Sequence, residues 1–71
     1  MIYLNNDNIN YFNVNGLKQI CQYNRDVFCN YNKFARQELI IYMKSRIGIN
    51  NIIIPPFVYN NKFKAKYKIE I

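Results

Sequence analysis

From residue 13 to 47 apolar positions recur at helical spacing, and from residue 62 to 71 they recur at every second position. Val14, Leu17, Ile20 and Cys21 form one stripe with Asn13 as a good N-cap before it, so a first helix is predicted that ends near Tyr23 or Asn24. A connector from Arg25 to Tyr31 follows, in which the adjacent Val27 and Phe28 are placed to plug the gap between helices. A second helix is predicted after Asn32 as N-cap, with Ala35, Leu39, Met43 and Ile47 on its inner stripe, broadened by Ile40 and Tyr42. Lys44 and Arg46 suit its C-terminal dipole and Gly48 its C-terminal cap.

The segment from Lys62 to Ile71 alternates strictly, which is the period of a strand, and Asn60-Asn61 can form the tight turn of a hairpin with the preceding run 51–59. A two-residue loop sets Tyr59 opposite Lys62 and Val58 opposite Phe63. Ile52, Ile54, Val58, Phe63, Ala65, Tyr67, Ile69 and Ile71 then share an inner face, while Lys62, Lys64, Lys66 and Lys68 lie outside with Ile53, Phe57 and Tyr59. Pro55-Pro56 donates no ladder hydrogen bonds, so the first strand is read as a bent edge. Ile2, Tyr3 and Leu4, with Ile9, Tyr11 and Phe12, can form a further hairpin around Asn5 to Asn8 that extends the sheet. The predicted fold class is α+β: two short helices in a helix-extended-helix unit (13–47), packed on a small antiparallel β-sheet that ends in a C-terminal hairpin (51–71), as a single domain 1–71.

At 71 residues the chain is near the lower limit at which one core outweighs chain entropy. Hydrophobic residues make up 51% of it, with seven Tyr and five Phe, so a partly aromatic core is expected in place of disorder. Asn, Ile, Lys and Tyr are abundant while His and Trp are absent, the bias of AT-rich codons, which points to a virus, phage, organelle or AT-rich cell. Under that bias Asn5-Asn6-Asp7-Asn8 reads as a turn and not as a site.

Without His there is no histidine base and no Ser-His or Cys-His pair, and two Cys cannot close a tetrahedral zinc site. Asp7, Asp26, Glu38 and Glu70 are scattered, and Gly16 and Gly48 stand alone, so neither a carboxylate dyad, a magnesium cluster nor a phosphate loop is indicated. The expectation is a protein that is not an enzyme and uses no cofactor or metal. Cys21 and Cys29 are read as reduced, buried thiols. No run approaches the roughly 20 apolar residues of a membrane span, and the first residues lack the regions of a secretory signal, so an intracellular, soluble protein is expected. A formal charge of +6 and a pI near 9.5 direct such a body toward polyanions.

The run Asn13-Val14-Asn15-Gly16-Leu17-Lys18-Gln19-Ile20-Cys21 resembles the opening of the SAP motif, a capped helix carrying Val and then Leu-Lys. Asn32-Lys33-Phe34-Ala35-Arg36-Gln37-Glu38-Leu39-Ile40 is similar to its second half, where a basic segment leads into Glu-Leu-Ile. The same helix-extended-helix plan occurs in the N-terminal domain of transcription terminator Rho. The resemblance covers residues 13 to 44; the connector here is longer by a couple of residues and lacks the usual Gly. It implies DNA binding from the connector and the start of the second helix, with Lys33, Arg36 and Lys18 at the positions of the family's basic residues. Lys33 and Arg36 also suit phosphate at a helix N-terminus. Simple solvation accounts equally for Lys18 and Arg25, and Glu38 is read as local helix support.

The lysines at 62, 64, 66 and 68 form a second candidate surface, on which Phe57 or Tyr59 could stack on a base or ribose; alternating lysines are also an ordinary solvated face that discourages strand aggregation. The function expected is a small, basic nucleic-acid-binding protein, for DNA in preference to RNA, weakly sequence-specific because phosphate contacts dominate. The competing expectations are a structural or assembly subunit of a virion or organellar ribosome, contacting RNA or protein, and an inhibitor of a host nucleic-acid enzyme. Neither a membrane nor a small-molecule substrate is expected as partner.

Overall fold

Asn13 starts the first helix through its side chain, whose Oδ1 accepts the Gly16 N–H at 2.8 Å. In the computed structural model, which describes residues 2–69, this helix, α1, runs Val14–Tyr23. Its stripe of Leu17, Ile20 and Cys21 is buried, while Asn15, Gln19, Gln22 and Tyr23 are exposed. The second helix, α2, runs Arg36–Lys44 and so begins later than capping by Asn32 would place it. Tyr31–Lys33 form a 3-10 turn, and Ala35 in an extended conformation is the N-cap. Alanine has no oxygen to cap with, and Glu38 supplies the missing contact by accepting the Ala35 N–H at 3.2 Å. Leu39 and Met43 are buried, but Ala35 is exposed, not on the inner face. Gly48 adopts φ 92° in the turn after the helix, so it reverses the chain beyond α2 instead of capping it.

Among the described residues the predicted C-terminal hairpin does not form. Pro56–Val58 form a 3-10 turn, and Asn61–Tyr67 form a third helix, α3, in place of the strand. Asn60 decides this locally: its Oδ1 caps the helix by accepting the Phe63 N–H at 2.9 Å, and its Nδ2 donates to the Tyr11 carbonyl at 2.6 Å. Alternation did not exclude a helix, because Tyr59, Phe63 and Tyr67 are spaced by four as well as by even steps. Phe63 is fully buried, with ring centroids 4.7 Å from Tyr59, 4.6 Å from Tyr67 and 5.3 Å from Phe12. The helix stops at Lys68, whose φ of 56° lets the Ile69 N–H bond the Lys64 carbonyl at 2.9 Å and the Lys68 N–H bond that of Ala65 at 3.4 Å, a Schellman closure. Glu70 and Ile71, the end of the predicted strand, lie outside the described residues.

The two-stranded sheet pairs β1 (Ile2–Tyr3) antiparallel with β2 (Ile53–Ile54), Ile2 opposite Ile54. The predicted N-terminal hairpin is therefore replaced by a long-range pairing, and its return arm is a 3-10 turn over Asn8–Tyr11. Asparagine side chains close both edges of this sheet. Asn24 donates to the Ile53 carbonyl at 2.9 Å and accepts the Ile53 N–H at 3.1 Å, as a third strand would. Asn8 donates to the Tyr3 carbonyl and to the Tyr67 hydroxyl, both at 3.0 Å. Both amides are buried, so their loss would leave main-chain groups unpaired at about 1–3 kcal/mol each.

The architecture of the described residues is α+β, three helices on a small antiparallel sheet. One core unites the elements: Ile9, Phe12, Leu17, Ile20, Leu39, Met43, Ile52, Ile54 and Phe63 are all buried. Of the predicted inner face, Ala65 is exposed, since the helix turns it away from Phe63 and Tyr67. Cys21 is buried as expected and burial pushes its thiol up to about 12, whereas Cys29 is exposed, carried outward in the connector. The Tyr42 hydroxyl holds that connector by bonding the Cys29 N–H and carbonyl, both at 3.2 Å. Among the described residues no helix is long and apolar enough to cross a membrane.

Candidate nucleic-acid interface

The link from Asn24 to Ile53 fixes what lies beside the C-terminal end of α1. It pins β2 against the residue after Tyr23, and the 3-10 turn that follows β2 presents Phe57 outward while Val58 is buried beneath it. Phe57 is 69% exposed and Tyr23 54% exposed, yet they meet edge to face, with centroids 6.4 Å apart and planes at 67°. Arg25, Gln19 and Gln22 complete the lining of an open depression of about 580 Å³ around this pair. Its only charged lining residue is a cation, and two of its polar side chains are uncharged amides.

Two residues singled out by sequence, Arg25 and Phe57, are thus brought together. Tyr23, Gln19 and Gln22 were missed; their place on the outer side of α1 follows from its helical wheel, but their meeting with Phe57 depends on a link 29 residues apart in sequence. Tyr59, the other aromatic candidate, turns inward and stacks on Phe63, and burial raises its hydroxyl pKa.

A second, smaller depression of about 290 Å³ is lined by Asn30, Asn32 and Lys33. Asn30 takes the left-handed conformation, φ 55°, that asparagine tolerates well, and Lys33 Nζ sits 5.6 Å from the centre of the Phe34 ring. Arg36 is placed differently. Its Nε and Nη2 donate to the Phe12 carbonyl at 3.2 and 3.1 Å, and Nη2 also reaches the Asn10 carbonyl at 3.4 Å. This fork ties the start of α2 to the turn ahead of α1. Lys18 is half-buried on α1.

The lysines of the predicted ladder occupy α3, not a strand face. Lys62 and Lys66, one turn apart, share one flank of the Phe63–Tyr67 face and are exposed; Lys64 is half-buried on the other flank, and Lys68 is exposed at the C-cap. Among the described residues no group of three or more His, Cys, Asp or Glu side chains could hold a metal. The chain matches no family model, no curated protein and no solved structure.

Proposed function

We propose that this chain is a non-enzymatic nucleic-acid-binding protein that grips the phosphate backbone through exposed cations, with weak sequence specificity. The observation that carries the reading is α3, which holds Lys62, Lys64 and Lys66 within seven residues, adds Lys68 at its cap, and contains no acid. Like charges one turn apart, as in Lys62 and Lys66, cost an isolated helix about 0.2–0.5 kcal/mol, a repulsion that a polyanion relieves. Lys33 in the connector and Arg25 after α1 add cations outside that helix. The resemblance of residues 13–44 to the SAP motif supports DNA before RNA.

The test is the double substitution Lys62→Gln with Lys66→Gln. Binding should weaken and the slope of log affinity against log salt should flatten by about 1.8, near 0.9 for each duplex phosphate that is no longer neutralised. Thermal stability should hold or rise slightly as the repulsion is removed. Unchanged affinity and slope would return these lysines to a solvated surface.

A second reading is an assembly subunit of a nucleoprotein complex. Ile41 on the outer face of α2 is 64% exposed and Ile49 76% exposed, apolar surface that a partner could cover.

A further inference from the structure

We infer that the depression between α1 and the 3-10 turn after β2 seats an unpaired nucleobase, so that the preferred ligand is single-stranded nucleic acid. This inference rests on the nucleic-acid reading above and specifies its substrate.

The geometry supplies the groups that a base and its phosphate need. Phe57 and Tyr23 present exposed rings that already touch each other, so a base that stacks on Phe57 extends an existing aromatic pair at little ordering cost. Phe57 follows Pro55 and Pro56 in a turn whose Val58 is buried, which limits its backbone freedom. Gln19 and Gln22 lie one turn apart on the outer side of α1, and each amide offers both donor and acceptor to a base edge. Arg25 lines the same depression, and its guanidinium can meet the phosphate attached to the seated base.

Charge and access select among ligands. The lining contains no carboxylate and the whole chain carries +6, which favours an anionic ligand over a cationic or neutral one. In a duplex the faces of the bases are covered by their neighbours, and only an unstacked strand can offer one to Phe57. An acidic peptide would satisfy Arg25, but only one that also carries an aromatic or apolar group would use the two exposed rings.

The experiment titrates the intact chain, and its Phe57→Leu and Arg25→Gln variants, with a short oligothymidylate, the matching oligouridylate, an abasic strand of equal length and a duplex, each over a salt series. Phe57→Leu keeps apolar volume and removes the π face, and as Phe57 is exposed the fold should survive, which circular dichroism checks. The expected result is a loss of single-strand affinity of roughly 5- to 150-fold in Phe57→Leu with an unchanged salt slope, the range for one stacked base. The abasic strand should bind the unaltered chain about as weakly as the oligothymidylate binds Phe57→Leu. Arg25→Gln should lower the single-strand slope by about 0.7, the value for one phosphate. The thymidylate and uridylate arms separate DNA from RNA, and the Phe57 effect is expected on the tighter of the two. Equal binding of abasic and base-bearing strands, or an indifferent Phe57→Leu, overturns the base seat while leaving the phosphate-binding reading standing. No binding to any strand or duplex overturns both.

Discussion

Arg36 donates to the main-chain carbonyls of Asn10 and Phe12 ahead of α1, and that position makes it a structural residue before it is anything else. Hydrogen bonds from a charged donor contribute about 1.5–3 kcal/mol, so Arg36→Gln should lower unfolding free energy by roughly that amount in a denaturant titration while leaving the salt slope of binding unchanged. An unaltered stability with a flattened slope would instead put Arg36 among the phosphate-binding groups. Sequence placed it beside Lys33 because both precede a Glu-Leu-Ile run, and nothing in that spacing reveals the carbonyls of Phe12 and Asn10, which lie 24 and 26 residues away. The asparagines were underread for a related reason. An AT-rich codon bias explains their number, yet Asn8, Asn13, Asn24 and Asn60 each bond main-chain groups that would otherwise be unpaired at a helix start or a sheet edge. Asn13 was recognised as a cap from local sequence, and Asn60 caps its helix just as locally, but the links from Asn24 to Ile53 and from Asn60 to Tyr11 reach 29 and 49 residues along the chain and leave no local mark.

At the scale of elements, α1 was legible nearly to the residue because cap, stripe and stop all agree in one short window. The last segment was not, since Phe63 and Tyr67 satisfy both the strand period and the helical i, i+4 spacing. Ala65 is the position that separates the two: a strand buries it with Phe63, while a helix exposes it. Burial of Phe63 holds under either element, and what changes is the lysine surface, which a helix divides into two flanks. Lysine and alanine are good helix formers, and with Asn60 as cap they outweigh the alternation. The Schellman closure at Lys68 gives this element its own test. A lysine held at φ 56° is strained where glycine is not, so Lys68→Gly should raise stability by about 0.4–1 kcal/mol, visible as a higher melting temperature. A fall in stability would mean that α3 does not end in this way.

For the molecule as a whole, a small core joins three helices to a two-stranded sheet, and the functional groups lie on what that core leaves outside. The chain is short enough that side-chain links such as Asn24 to Ile53 and Asn60 to Tyr11 decide which loops meet. The pairing of Phe57 with Tyr23 beside Arg25 is a product of such links, which is why net charge could be read from composition while this meeting point could not. The most direct measurement of the central claim is the affinity of the purified chain for duplex DNA, single-stranded DNA and RNA across a salt series. The account predicts binding that persists at physiological salt, falls linearly in log–log form as salt rises, and varies little with sequence. Absence of binding to all three at physiological salt, from a chain shown to be folded, would contradict it.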